Sequence, residues 1–535
     1  MPMNTWMIPK NKRTLSHIPG TLAAFAAVNE GRCWMGNRDL QSTFEKMLER
    51  SGLKGGGNQY DPNSGGARTY EAQLDALGLI FWKEEENKKH LYFTLAGEAI
   101  LNGENPTVIL QHQLMKYQYP SPYSIRSNVN ISSDFQIRPF QFVMRLLIDE
   151  DIRYLDREEF GLILLPYAKK DSDFEKIKKM ILNFRNAGCK FTFPETFMED
   201  TSSTRTMNHT KEERVKYLID KANIFVNYLD SCQFIIRPES GRISADPDAV
   251  KTVEEYIRKN KPLISDPENS VRFQRIFGVD PKHTKDTRLL DSSRAVSAEI
   301  IYERSVMSKF FDIASQEICT EITAEVIQKV SNQAGVPLSV TARILEKRDP
   351  DGLNYFEENY IAMSSKGREE AIDFEKATAE LFERMLGYKA KHVGQVKPKG
   401  RGGGNPDVIV ISEAENYCGI LDAKAYISYG LTNDHEHRME YDYIPNVGEH
   451  SEGTELKFFA YISGNFASNF PSGIRKFAES VSQKRGKELH GCGITARNLI
   501  RLCQRVKAKQ IPHDVLGELF SCDSVITLEK IEAVV

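Results

Sequence analysis

In GNPDVIVISEAENYCGILDAKAY, residues 404–426, two short apolar runs flank a polar turn, and an aspartate stands at the outer end of each. VIVI and YCGILDAKAY have the β-branched and aromatic bias of strands, and Ala414-Glu415-Asn416 reads as the turn between them. Pairing the strands around that turn brings Asp407, at the start of the first, beside Asp422, at the end of the second. Side chains alternate along a strand, so Asp422 and Lys424 share one face and Ala423 points to the other. Paired in this way, the two strands make a hairpin with two carboxylates and a lysine at one end.

Two carboxylates held together repel, and a divalent cation removes that penalty. An oxygen-only pair suits Mg²⁺, which keeps several waters and completes its shell with substrate phosphate oxygens. Such a metal polarises a phosphoryl group and lowers the pKa of a bound water. Lys424 adds a compact positive charge for the attacking water or the developing phosphorane oxygens. The pattern thus suits phosphodiester hydrolysis, with Asp407 and Asp422 as metal ligands.

The same residues also suit a plain solvated hairpin. Three features weigh against that. The acids fall at the two strand ends. A helix precedes them in GREEAIDFEKATAELFERMLGY, with Ile372, Phe374, Leu381, Phe382, Met385 and Leu386 on its apolar pattern, Glu375 within it and a stop near Gly387. A further buried strand follows in TELKFFAYISGNF and ends at Ser463-Gly464. In KPKGRGGGNPD, Lys397, Lys399 and Arg401 surround glycines whose backbone N–H groups can approach DNA phosphates. The alternative for that stretch is a flexible loop. It lacks the G-K-[ST] of a phosphate-binding P-loop.

The 535-residue chain is long enough for about three domains. Its 40% hydrophobic and 27% charged content is that of a globular protein, and a net charge of -3 gives no overall bias toward nucleic acid. No apolar run reaches the ~18 residues of a membrane span, and no secretory signal is read at the N-terminus. The eight cysteines are single, with no C-x-x-C pair, which points to reduced thiols in a cytosolic protein rather than a zinc site.

Toward the N-terminus, DLQSTFEKMLERSGL and ARTYEAQLDALGLI have helical spacing, the second with Tyr70, Leu74 and Leu77 on its stripe. IFWKEEENKKHLYFTLAGEAIL then reads as strand, turn, strand and short helix. Helix, helix and hairpin is the order of a winged helix, whose second helix enters the major groove. Its exposed face is expected to carry Arg68, Thr69 and Gln73, residue types that contact base edges. The alternatives are a protein-contacting winged helix or plain surface. VILQHQLMKYQYPSPY starts helical and is stopped by Pro120 and Pro122, its aromatics serving packing. Residues 210–259 repeat a helix, strand-pair, helix order, a second such module. Between the two, MEDTSSTRTMNHTKEER is read as a solvated loop or a DNA-contacting one, with Arg205, His209 and Lys211. The expected division is 1–135 and 136–262 for recognition, 263–360 as a helical connector, and 361–535 for the last domain.

On PD at 406–407, DAKAY at 422–426 and ELKFFAYISGNF at 455–466, residues 365–520 resemble the cleavage domain of FokI and related type IIS restriction endonucleases, in the PD-(D/E)xK nuclease superfamily. QLMKYQYPSP and FRNAG resemble AlwI-like type IIS and nicking endonucleases. The resemblance implies a multidomain chain, with α-rich winged-helix DNA-recognition modules followed by an α/β PD-(D/E)xK domain built on a central mixed sheet. It implies Asp407, Asp422, Lys424 and Glu375 as catalytic residues, Glu375 sharing its segment with Glu370, Glu380 and Glu383. It also implies Mg²⁺ with Mn²⁺ as a substitute, double-stranded DNA as partner, a transient homodimer through the cleavage domain, a cognate methyltransferase and a bacterial cytoplasmic setting. The segment NDHEHRMEYDYIPN departs from FokI, which puts that family's dimer surface in doubt here.

The expected activity is cleavage at a fixed distance outside a short asymmetric site. Strand-specific nicking, a structure-specific repair nuclease, and a winged-helix regulator with an inert nuclease-like domain are the alternatives.

Overall fold

Helix α1 (Ile18–Asn29) has no polar face: IPGTLAAFAAVN is buried at every position but Ala27. A helix apolar all round must be wrapped by others. The computed structural model describes the whole chain except residues 1–2, 10–14, 31, 52, 55–64, 86, 126–130, 190, 204–205, 238–240, 260, 291–296, 397–403 and 535. It falls into two compact units, one of residues 1–236, 241–314 and 321–355, the other of residues 237–240, 315–320 and 356–535.

In the first unit, α1 is followed by α2 (Arg38–Arg50), α3 (Gly65–Ala76), the antiparallel hairpin β1 (Ile80–Glu85) and β2 (Lys88–Phe93), and α4 (Leu95–Leu101). The helix, helix, hairpin order expected from the sequence is present. α2 starts where the Asn37 side chain accepts the Leu40 N–H, a standard N-cap. Phe25 of α1 meets Trp34 and Phe44 edge-on, which seats α2 on α1. α5 (Pro106–Lys116) stops before Tyr117 and Tyr119, both fully buried, in keeping with aromatics used for packing.

Further along, β3 (Tyr154–Asp156), α6 (Lys211–Ser231), β4 (Ile235–Ile236), β5 (Arg242–Ala245) and α7 (Pro247–Lys259) complete the expected helix, strand pair and helix. The structure adds a third strand: the antiparallel order is β3-β5-β4, with β3 drawn from far upstream. The polar stretch before α6 is not simply solvated. Thr201, Ser202, Ser203 and Thr206 are buried, and the Arg214 guanidinium donates to Met198 O, Thr201 Oγ1 and Thr206 O.

The second unit carries α8 (Ala371–Arg384), β6 (Lys389–His392), β7 (Val408–Ser412), β8 (Tyr417–Ala423), β9 (Glu455–Ser463), α9 (Phe470–Arg485), β10 (His490–Thr495), α10 (Ala496–Lys509), α11 (His513–Phe520) and β11 (Val525–Ile526). The strands form one mixed sheet in the order β11-β10-β9-β8-β7-β6. β6, β7 and β8 run antiparallel, while β8, β9, β10 and β11 are parallel. β7 and β8 are buried along their whole length, as strands covered on both faces must be. One face packs Ile409, Ile420, Phe459 and Tyr461 with Phe470, Ile474 and Phe477 of α9. On the other, Phe458 stacks on Phe520 of α11, which meets Phe382 of α8. This is an α/β unit with a central mixed sheet. Ile372, expected on the inner stripe of α8, is 45% exposed, because it sits on the side of the helix away from the buried Phe374 and Leu381.

Among the described residues no helix is long and apolar enough to cross a membrane. All eight cysteines are free, five of them buried.

Candidate active site

The register of the β7–β8 hairpin decides the geometry. Val408 pairs with Leu421, so Asp407, one residue before β7, faces the end of β8 at Asp422. Asp407 is pinned from both sides. Its carbonyl accepts the N–H groups of Val393 (2.9 Å) and Gly394 (3.1 Å), where the chain leaves β6. Its Oδ2 accepts the Ala423 N–H at 2.8 Å. Asp422 is almost completely buried, and Lys424 Nζ donates to its Oδ1 at 2.7 Å. The backbone N–H of Lys424 donates to Ile462 O at 2.7 Å, and Ser463 Oγ donates to the Lys424 and Tyr426 carbonyls at 2.7 and 3.1 Å. A Cβ on Gly464 would lie 2.8 Å from Tyr426 O, so the Ser-Gly ending of β9 is what lets the two strand ends close together.

Glu375 reaches the same place from α8 and is buried, whereas Glu380 and Glu383 point to solvent and Glu370 pairs with Lys366. The structure thus separates Glu375 from its neighbours in sequence. The charges interact. Burial first, and then Asp422, raise the Asp407 carboxyl well above the ordinary range. Burial alone would lower the Lys424 ammonium, but Asp422 and Asp407 outweigh it and raise the pKa. Tyr443 is pushed up to about 12 by burial and by Asp422, so the site's wall holds a protonated phenol.

Among the described residues no three His, Cys, Asp or Glu side chains are gathered as a ready metal cage. What the site offers is a pair of acidic oxygen donors whose mutual repulsion a cation would relieve. That fits Mg²⁺, which is commonly held by one or two carboxylates with water and phosphate oxygens in the remaining positions.

The residues expected to touch DNA divide differently. Arg68 and Thr69 are exposed on α3. Gln73 is not: it is fully buried, with Oε1 2.9 Å from His17 Nε2 and Nε2 donating to Tyr228 OH at 2.6 Å. The expectation that it lies on the outer face is corrected, and helical geometry gives the reason. Positions 70, 73, 74 and 77 fall on one stripe, so Gln73 shares the inner face of Tyr70, Leu74 and Leu77. Lys211 is exposed at the start of α6, its ammonium 3.9 Å from the Phe193 ring centre. Arg205, Lys397, Lys399 and Arg401 lie outside the described residues.

Sequence reasoning missed His392 and Gly394. His392 Nε2 lies 2.9 Å from Glu375 Oε2. A Cβ on Gly394 would come within 3.2 Å of Asp407 Oδ1 and 3.3 Å of Glu375 Oε2. The signal available was the edge strand KAKH before the glycines, which has weak apolar alternation.

Residues 75–361, more than half of the chain, match the family described as AlwI restriction endonuclease, and residues 337–527 match the family described as FokI, cleavage domain. The second match begins earlier than the 365–520 read from the sequence. Over 132 residues the chain is 28% identical to the type II restriction enzyme StsI of Streptococcus sanguinis, covering 22% of this chain and only 20% of that protein. Two solved structures are looser likenesses, each at 13% identity. One is the restriction endonuclease FokI, covering 99% of this chain and 100% of that one with a TM-score of 0.28. The other is the BpuJ1 endonuclease binding domain with modified DNA, covering 52% of this chain and 96% of that one with a TM-score of 0.36. Scores this low fix no detail of the fold. The chain belongs to the AlwI restriction endonuclease family, and its C-terminal residues 337–527 match the FokI cleavage domain.

Proposed function

We propose that the protein binds a short asymmetric site in double-stranded DNA and hydrolyses phosphodiester bonds at a fixed distance outside it. The observation that carries this reading is the convergence of Asp407, Asp422, Lys424 and Glu375 at one end of the mixed sheet.

Asp407 and Asp422 would hold Mg²⁺, with Mn²⁺ as a substitute. Bound there, the metal supplies a Lewis acid to the scissile phosphoryl group and eases ionisation of the attacking water. Lys424 stays an ammonium, because its two aspartate neighbours raise its pKa. It therefore places a fixed positive charge where the phosphorane oxygens gain negative charge. Glu375, which approaches Asp407 beside Gly394, would help hold the water shell.

The first unit supplies recognition, with α2, α3 and the β1–β2 hairpin acting as a winged helix. Arg68 and Thr69 on α3 and Lys211 on α6 face the duplex. One centre cuts one strand, so a double-strand break calls for transient pairing of two cleavage units or for two successive nicks. The setting is a bacterial cytoplasm with a cognate methyltransferase protecting host sites.

The test is cleavage of a long sequenced duplex with Mg²⁺, mapping ends on both strands, with Asp422→Ala in parallel. Breaks at constant offsets from one short motif, absent in the variant, are expected. Accumulated open circles from a plasmid would instead assign a nicking enzyme. Duplex binding without cleavage by the wild type would replace the nuclease with a DNA-binding regulator.

A further inference from the structure

His392, Val393 and Gly394 touch both acids that flank the site. His392 closes β6, paired with Val408, and its Nε2 lies 2.9 Å from Glu375 Oε2. Val393 is buried in the apolar layer under the sheet and holds the segment down. The Val393 and Gly394 N–H groups both donate to the Asp407 carbonyl. At Gly394 there is no room for a side chain: a Cβ would stand 3.1 Å from Asp407 Cα, 3.2 Å from Asp407 Oδ1 and 3.3 Å from Glu375 Oε2. Asp407 and Glu375 therefore approach the same bare backbone from two sides.

We infer that His392 is a positioning residue for the cation and water shell, acting through Glu375. Its imidazole donates Nε2–H to Oε2, a hydrogen bond strengthened by the carboxylate charge. That occupies one oxygen of Glu375 and leaves Oε1 without a protein partner among the described residues. A glutamate side chain has three rotatable bonds. With one oxygen tethered to an edge strand, the other is held at one place relative to Asp407. Gly394 keeps the space between the two acids clear. Outer partners of this kind orient the groups nearest a metal, and losing one typically weakens metal binding or activity by about 10- to 100-fold. The inference rests on the nuclease reading of the site.

The experiment compares the full-length wild type with His392→Ala, His392→Gln and Asp422→Ala. Four quantities are measured: binding of Mn²⁺ alone by calorimetry, the Mg²⁺ concentration giving half-maximal cleavage, duplex affinity without metal, and the melting temperature. His392→Ala is expected to weaken Mn²⁺ binding and raise the half-maximal Mg²⁺ about 10-fold, with metal-free DNA affinity unchanged. His392→Gln, whose amide can donate to the same oxygen, is expected to recover most of both. If His392→Ala binds Mn²⁺ and responds to Mg²⁺ as the wild type does, the inference is overturned. A lowered melting temperature with unchanged metal response overturns it equally, leaving His392 as a strand-to-helix tie. A wild type that neither cleaves nor loses Mn²⁺ binding on Asp422→Ala sinks the nuclease reading itself, and the assignment with it.

Discussion

Lys424 Nζ and Asp422 Oδ1 lie 2.7 Å apart at the end of β8, on side chains only two residues apart, and the aspartate partner is nearly dry. The ammonium pays for burial by gaining two carboxylate neighbours, and the net effect is a raised pKa. For a lysine raised above its unfolded value, the pairing contributes fully below the unfolded pKa and is lost only as pH rises through the higher folded one. Lys424 thus does not titrate across neutral pH.

Lys424→Ala is expected to lower the cleavage rate by about 100-fold or more while leaving duplex affinity intact. Lys424→Arg is not expected to rescue it, because a planar guanidinium cannot fill the place of a compact ammonium. Single-turnover cleavage beside a gel-shift titration checks both. Recovery of half the wild-type rate by the arginine variant would count against a positional role.

Asp407 has linkage of the same sign, in a lower pH window. Its folded pKa is raised, so the stability tied to its protonated form is complete below about 3.8 and drains away as pH climbs through the folded value. Without metal, Asp407→Asn should therefore be the more stable protein at pH 8, by a few degrees in Tm or roughly 1–2 kcal/mol, and the difference should shrink toward pH 4. Mg²⁺ should raise the Tm of the wild type and not of the variant. Melts at both pH values, with and without Mg²⁺, decide the matter. A variant less stable than the wild type at pH 8 would mean that Asp407 is not strained by its neighbours.

Local chemistry explains what could be read in advance. The β7–β8 hairpin was legible because alternation and a tight turn fix which ends meet, and Asp407, Asp422 and Lys424 follow from that register alone. Glu375 needed the resemblance, since its segment offers five glutamates and only packing selects one. His392 and Gly394 were hidden because β6 joins the sheet through a stretch of mostly polar residues, and its partner β7 begins well downstream in the sequence. The strand β3, three residues long, carries too little pattern to announce pairing with β5. Gln73 was misplaced by weighting its base-reading chemistry over its position on the helix.

The packing of β8 on β9 makes a separate prediction. Gly419 faces Phe458 so closely that a Cβ would stand 2.3 Å from the ring. Gly419→Ala must displace the ring or the strand, at a cost of about 1–3 kcal/mol. Adding Phe458→Leu should return part of the loss, because the smaller side chain vacates that space. Denaturant titration of the single and double variants measures the coupling. Strict additivity of the two losses would rule out the contact as the cause.

On α3, one turn of helix separates a surface role from a core role. Gln73 is enclosed with His17 and Tyr228, so Gln73→Ala removes one buried hydrogen bond from each and should cost about 1–3 kcal/mol of stability. Its effect on DNA affinity, per folded molecule, should be nil. Arg68 is exposed on the opposite side of the same helix. Arg68→Ala should leave the Tm unchanged and weaken specific binding by about 1–3 kcal/mol, roughly tenfold or more, if it reads a base edge. A phosphate contact instead predicts a loss shared by specific and nonspecific duplexes and a salt dependence shallower by about one ion. Affinity measured on both duplexes over a salt series separates these two roles. Unchanged affinity on both would remove α3 from the DNA interface and move recognition to another face of the first unit.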